Sequence, residues 1–283
     1  KVSATDPSIT SLIVKEPIGV VAGVVPWNFP LMMAVWKAAP ALAAGCSVII
    51  KPAEDTPLSS LRIAQIASDA GIPDGVLNVL PGFGDVGEAL GRHNDVDAVS
   101  FTGSTEVGGL FMKYSGESNL KTIGLEMGGK SPFLVLEDAK INDALIDNAI
   151  NSAFWNGGQN CSANMRQIIH NKVKDEFLDK VLKRIKNIKV GDPLDTETNM
   201  GSMISKIHLA KVDSYIQKGI DEGASILHGG VSDANQKGFY AKPTLFDNVK
   251  ENMTIAQDEI FGPVLGVLTV NDTEEALKIA KNS

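Results

Sequence analysis

Cysteine is almost missing from these 283 residues, with Cys46 and Cys161 the only two. Small secreted folds stapled by disulfides carry many more, so the pair points to a reducing compartment and a cytoplasmic protein. No C-x-x-C occurs, and His93, His170, His208 and His228 have no spacing suited to a metal. No metal site is expected. Long apolar runs are lacking too: the longest, from Leu31 to Val35 and on through 38–44, is broken by Lys37 and Pro40. No stretch therefore reaches the length needed to cross a bilayer, and no signal peptide opens the chain. Excess positive charge is absent. Lys and Arg number 26 against 34 Asp and Glu, a net charge of −8, which argues against a nucleic-acid or anionic-membrane partner. Internal repeats and low-complexity linkers are absent as well. Lys1 is not an initiator methionine, 2–10 reads as mid-protein sequence, and 274–283 reads as a helix cut off without a cap. Both ends are expected to be truncations.

What is present is the balance of a soluble globular protein, 43% hydrophobic and 21% charged, long enough for one large domain or two ordinary ones. The pattern along it is alternation. Strand-like runs at 18–25, 47–50, 76–80, 98–101, 121–126, 133–136, 167–170 and 264–270 are separated by helical spacing at 58–70, 105–114, 142–154, 174–186 and 206–222. Strand and helix in turn predict an α/β fold with mostly parallel sheets covered on both faces. Connections are short and marked by Gly or Pro up to Gly128-Gly129; beyond it loops lengthen, at 191–201 and 229–238. A domain boundary is expected near Gly128.

Two phosphate-binding patterns occur. Gly82-Phe83-Gly84-Asp85-Val86-Gly87 is a G-x-G-x-x-G between a strand and a helix, with Asp95 or Asp97 as the acidic partner such a fingerprint needs. It is either a phosphate cradle or a glycine-rich turn. Gly124 to Ser131 matches G-x-x-x-x-G-K-[ST], but Pro132 and an apolar strand signal follow where a helix is required, and Glu126 would put negative charge in the cradle. ATP or GTP binding is disfavoured.

Cys161 lies in Asn156-Gly157-Gly158-Gln159-Asn160-Cys161-Ser162-Ala163, a small polar loop where a thiolate can be accessible and stabilised. It reads equally as a nucleophile or as an inert thiol. Cys46, at an apolar strand entry, reads as a buried small hydrophobe. Glu126 ends an apolar run; it is either a desolvated general base of raised pKa or a surface glutamate at a strand end.

Six blocks occur in order: Pro26-Trp27-Asn28-Phe29-Pro30, Lys51-Pro52-Ala53-Glu54, Phe101-Thr102-Gly103-Ser104-Thr105-Glu106-Val107-Gly108, Leu125-Glu126-Met127-Gly128-Gly129-Lys130, Gly158-Gln159-Asn160-Cys161 and Glu259-Ile260-Phe261-Gly262-Pro263. Together they resemble the signature blocks of the aldehyde dehydrogenase superfamily, of whose longer chains this sequence resembles the middle. The resemblance implies two doubly wound, Rossmann-like sheet domains, both incomplete. They would follow a remnant of an oligomerisation or linking strand at 1–17, with a cofactor-binding domain at 18–127 and a catalytic domain at 128–283.

It also implies roles. Cys161 would be the nucleophile, Glu126 the base that activates water, and Asn28 a side-chain donor to the oxyanion beside the Cys161 N–H. Lys51 and Glu54 match residues on the adenosine ribose, and a carboxylate there favours NAD over NADP. Gly103 and Ser104 match the pyrophosphate site and Gly84 a position near adenosine. Val25, Pro26, Trp27 and Met127 match further cofactor contacts, and Glu259 and Phe261 residues at the nicotinamide ribose and ring. Met33, Trp36 and Trp155 match a substrate tunnel. His208 stands where many relatives carry glutamine, which puts a ribose contact there in doubt, and Asn160 and Asn164 stand where the family varies. The implied reaction oxidises a small aldehyde to its acid in a full-length homo-oligomer, a dimer or tetramer. The competing reading is a non-catalytic nucleotide-binding relative or an inactive fragment.

Overall fold

A computed structural model describes residues 8–233 and 235–282, divided into two compact units, Lys1–Met127 and Gly128–Ser283. The first seven residues of the segment expected as a linking strand lie outside the described residues. The rest of it, 8–17, forms no strand element, and Leu12, Ile13 and Val14 are exposed. An extended segment needs a paired neighbour to persist as a strand, and 8–17 has no strand-length pairing among the described residues.

The first unit runs β1 (Val20–Val24), α1 (Pro30–Ala43), β2 (Ser47–Lys51), α2 (Leu58–Asp69), β3 (Leu77–Val79), α3 (Gly84–Arg92), β4 (Ala98–Gly103), α4 (Thr105–Gly116) and β5 (Thr122–Met127). Its sheet order is β3-β2-β1-β4-β5, parallel throughout. Side chains alternate along each strand. Ala22, Val24, Val99 and Phe101 pack with Leu90, Phe111 and Tyr114 of α3 and α4, while Val25, Val48 and Ile50 pack with Met33, Ala34 and Ala38 of α1. The sheet is thus covered on both faces. Helix α1 went unlisted among the sequence's helical stretches because Lys37 and Pro40 interrupt its apolar run. Yet Met33, Ala34, Lys37 and Ala38 are buried together as one stripe at helical spacing, and Pro30 at the first turn loses no bond. The helix ends in a Schellman turn: Gly45, at φ 84°, gives its N–H to Leu42 O and Cys46 gives its N–H to Ala41 O.

The second unit runs β6 (Pro132–Val135), α5 (Asp143–Phe154), β7 (Arg166–His170), α6 (Asn171–Ile185), α7 (Lys206–Asp221), β8 (Ser225–His228), β9 (Thr244–Asp247), α8 (Thr254–Gln257), β10 (Val264–Val270) and α9 (Thr273–Lys281). Its order is β6-β7-β10-β9-β8, parallel except that β8 pairs antiparallel with β9. Strands β8 and β9, four residues each, are too short for periodicity to reveal. Helix α6 starts three residues earlier than its pattern suggested, because His170 Nδ1 accepts the Lys172 N–H and caps it. Helix α9 is capped at its start by Asp272, which accepts the Glu275 N–H. Its last carbonyls are held by Arg166: the buried guanidinium donates to the Ile279, Ala280 and Asn282 oxygens at 3.0–3.2 Å. A cation at that end also meets the negative end of the helix dipole.

Phe177 on α6 is fully buried in the core between α5, α6 and the sheet. Phe177→Ala is expected to lower the unfolding free energy by about 3–5 kcal/mol, read as a fall in the urea midpoint. An unchanged midpoint would contradict this packing.

Candidate active site

In the first unit the strands all run the same way, so their carboxyl ends gather at one edge. From β1 the chain steps outward to β2 and β3, then crosses back to β4 beside β1 and steps the other way to β5, so the strand order reverses between β1 and β4 and opens a crevice at that edge. A cavity of about 500 Å³ lies there. Val24, Val25, Pro26 and Trp27 line it from the end of β1, Lys51 and Glu54 from the end of β2, and Gly103 and Ser104 from the end of β4. Gly84 and Gly87 of α3 complete it. Lys51 is buried and its Nζ stands 3.4 Å from the half-exposed Glu54 carboxylate. Ser104 caps α4, its Oγ accepting the Val107 N–H at 3.3 Å. The free amides of that first turn and the dipole end favour an anion.

The G-x-G-x-x-G therefore sits on this cavity through Gly84 and Gly87. The acidic partner proposed for it does not. Asp97 accepts the Val20 N–H at 2.8 Å, at the amino ends of β1 and β4, and Asp95 takes its own N–H to His93 Nδ1. Neither reaches the carboxyl edge. The P-loop pattern has no helix behind it: Gly124 to Met127 is the end of β5, and Pro132 begins β6.

Of the other expected residues in this unit, Asn28 is half-buried just before α1, Met33 is buried in the α1 core, Trp36 is exposed on α1, and Met127 ends β5 with its sulfur against Gly108. Glu126 is exposed, the surface alternative of its two readings, because β5 is the edge strand of its sheet. Its neighbour on the same face was not foreseen. Lys37 reaches from α1 to donate to Ser100 Oγ at 3.1 Å and Thr102 Oγ1 at 2.8 Å, and Thr102 pairs in register with Glu126. Burial lowers the Lys37 pKa to about 8, with the Glu126 charge opposing the fall. The available signal was a lone cation inside an otherwise apolar helical stripe.

The second unit holds Cys161 in a stiff loop. After α5 comes a single 3-10 turn, Trp155–Gly158, in which Asn156, Gly157 and Gly158 all have left-handed φ, at 53°, 62° and 70°. Gly158 is obligatory: a Cβ there would stand 2.5 Å from the Gly262 carbonyl. Gln159 is buried and links the loop outward, accepting the Ile204 N–H at 3.0 Å and donating to Asn156 O at 3.0 Å. Asn160 is also buried; its Oδ1 accepts the Ser162 N–H at 3.2 Å and Oγ–H at 3.0 Å, with Cys161 Sγ at 4.0 Å. Cys161 itself is a free, exposed thiol, and Cys46 a free, buried one. Trp155 is exposed beside this loop.

Glu259 lies in a second feature of the same unit. Its carboxylate fills the space over Gly128, where an added Cβ would stand 2.0 Å from Oε2, and Oε1 accepts the Gly129 N–H at 3.4 Å. Burial pushes the carboxyl pKa up, against the pull of that N–H and of Lys211 and Lys130. Lys130 is buried with no hydrogen-bond partner for its ammonium among the described residues, and its pKa is lowered to about 8, first by burial and then by Arg166. Phe261 adopts φ 61°, a left-handed conformation that costs a bulky residue about 1–3 kcal/mol. Among the described residues no group of three His, Cys, Asp or Glu side chains could hold a metal, and no helix is long and apolar enough to cross a membrane.

A parallel sheet with a cavity at its switch point defines an α/β fold of the nucleotide-binding class, and the second unit presents a braced, exposed thiol. The chain belongs to the aldehyde dehydrogenase family, whose model matches residues 1–283. It is 46% identical over 274 residues to aminoacetaldehyde dehydrogenase of Pseudomonas aeruginosa, covering 96% of this chain and 55% of that protein. To betaine aldehyde dehydrogenase of Bacillus subtilis it is 42% identical, covering 100% of this chain and 58% of that one. Among solved structures, the aldehyde dehydrogenase KauB from Pseudomonas aeruginosa superposes with a TM-score of 0.95 at 48% identity, over 99% of this chain and 57% of that one. The NAD+ complex of an aldehyde dehydrogenase from Bacillus cereus gives 0.91 at 46%, over 95% and 54%. The two incomplete, Rossmann-like sheets are thus those of this family. The chain spans about half the length of the curated relatives it matches.

Lys37 and Lys130 release their protons near pH 8 when folded and near 10.5 when unfolded. In that window the unfolded chain binds more protons, so these two sites make stability rise with pH. The urea midpoint, compared at pH 8, 9 and 10, is expected to climb less in Lys130→Met than in the parent. An identical slope would show that Lys130 keeps its ordinary titration.

Proposed function

We propose that this chain carries the cofactor-binding unit, 18–127, and the nucleophile-bearing unit, 128–283, of an NAD-dependent aldehyde dehydrogenase of the hydrolytic type. The observation that carries the reading is Cys161: an exposed thiol on a loop braced by three left-handed residues and two buried amides. That is how a reactive cysteine, rather than a packing one, is presented.

The residues of the first unit's cavity suit NAD. Glu54 offers a carboxylate to two ribose hydroxyls and would repel a 2′-phosphate, Lys51 backs it, and the α4 start with Gly103 and Ser104 suits the pyrophosphate. Gly84, Val25, Pro26, Trp27 and Met127 are further contacts on this reading, and Glu259 and Phe261 serve the nicotinamide ribose and ring. Two solved relatives described as NAD+ complexes support the choice.

The Cys161 thiolate attacks the aldehyde carbonyl and a C–S bond forms. The Asn28 amide and the Cys161 N–H donate to the oxygen as it gains charge; neither titrates. NAD, when bound, supplies the acceptor for the hydride that leaves the substrate carbon. A thioester remains on Cys161. Glu126 takes a proton from water, the water adds to the thioester carbon, and the C–S bond breaks to free the acid and the thiolate. One aldehyde, one NAD+ and one water give one carboxylate, one NADH and two protons. Trp36 and Trp155, with Met33 in the buried stripe of α1, are the tunnel residues on this reading, for a small aldehyde. The full-length protein is proposed to be a cytoplasmic homo-oligomer, a dimer or tetramer, without nucleic-acid or membrane partners.

The test is NADH formation from a panel of aliphatic, aromatic, amino- and semialdehydes, with this chain and with a full-length protein containing it. Cys161→Ser should abolish turnover in whichever is active; undiminished turnover would remove Cys161 as nucleophile. Glu126→Gln should release one burst of NADH and stall. A steady rate equal to the parent would remove Glu126 as the base. NAD bound without turnover by either would favour the non-catalytic reading.

A further inference from the structure

The segment from Asp258 to Gly262 carries Glu259 and Phe261, and it hangs from one face of α7. Tyr215 Oη donates to Asp258 Oδ2 at 3.1 Å. Val212 packs so closely on Gly262 that an added Cβ would stand 2.4 Å from its Cγ2. One turn before Val212, His208 Nε2 lies 2.7 Å from the Phe261 carbonyl oxygen. A carbonyl only accepts, so Nε2 carries the proton. The imidazole also meets the Phe261 ring edge-on, with centroids 6.3 Å apart at 75°. Its backbone is fixed first: the Ser205 cap accepts the His208 N–H at 3.2 Å, which sets the ring's departure point in the first turn of α7. The residue it grips is the one non-glycine in this segment with a left-handed backbone, at φ 61°. Such a conformation persists where its surroundings over-determine it.

We infer that His208 is a positioning residue: it pins the Phe261 backbone so that Glu259 and Phe261 keep their places, and it does not itself contact the cofactor. This rests on the dehydrogenase reading for the purpose of the pin, but the pin itself is a feature of the apo fold. Two neighbours keep the segment in place from the other side. The Gly129 N–H holds the Glu259 carboxylate, and Gly128 leaves room for it. His208 acts on the backbone two residues further along, which those contacts do not reach. A glutamine at the same place has a terminal N–H at a similar distance along its side chain and can donate to the same carbonyl. Leucine keeps the bulk and removes the donor.

The experiment compares parent, His208→Gln and His208→Leu by two readouts. The first is amide hydrogen exchange across 260–264 in the unliganded chain. The second is KM for NAD and kcat in a full-length protein containing it. His208→Leu is expected to speed exchange in that window about tenfold and to raise KM for NAD by a similar factor, as loss of one buried hydrogen bond does. His208→Gln should stay within about twofold of the parent in both. A raised KM with unchanged exchange would mean that the ring touches the cofactor directly, and would overturn the inference. Faster exchange with unchanged KM would overturn it too, since the pin would then serve no cofactor contact. Absence of NADH formation in the parent, with exchange still responding to His208→Leu, would defeat the dehydrogenase reading and leave the pin standing.

Discussion

Parallel pairing of β1 with both β2 and β4 is the constraint on which the first unit depends. A parallel pair cannot be joined by a tight turn, so each connection must cross over through a helix, and right-handed crossovers that run one way from β1 to β3 and the other way from β3 through β4 to β5 place helices on opposite faces. The strand ends on the carboxyl side are then left with a gap that no connection fills. Val25, Lys51 and Gly103 reach that gap because each lies at or just past the end of its strand. The anion-favouring start of α4 opens onto it for the same reason.

Charge inside each unit follows from how that framework is closed. Lys37 extends from α1 toward two hydroxyls on β4, at the end of the sheet where Glu126 emerges. Lys130 follows Gly128-Gly129 into the interior of the second unit and is held by the fields of Asp258 and Glu259 rather than by a hydrogen bond. Arg166 differs: its cost of burial is offset by three carbonyls at the end of α9. One buried cation completes a helix. The other two stand beside carboxylates to which the family resemblance assigns chemistry.

The α/β class and the family were legible before any coordinates. Alternation of β-rich and helical stretches is a local property, and the six blocks are strings of residues in order. What escaped were elements whose local signal is weak. Helix α1 hides in a run interrupted by Lys37 and Pro40, and β8 and β9 are four residues each, stabilised by pairing with each other and with β10. The surroundings of Glu126 stayed open between two readings for a related reason. Apolar neighbours in sequence suggested burial, but alternate residues of a strand face opposite ways, and an edge strand is open on one side.

By itself, then, the sequence determined the chemistry available: one thiol in a flexible-looking polar loop, one carboxylate at a strand end, a glycine-rich approach to a helix start. It also determined which elements could form, because propensity and periodicity act over a few residues. Only the tertiary structure decided what those groups meet. That Asp97 serves a strand's amino end, that the Glu259 carboxylate needs Gly128 bare, and that His208 grips Phe261 are facts about residues 53 to 131 positions apart, or 77 for Asp97 and Val20. No local pattern encodes such contacts. They exist because burying apolar surface on both faces of each sheet leaves the chain few places to lie, and the polar groups carried along must find partners there.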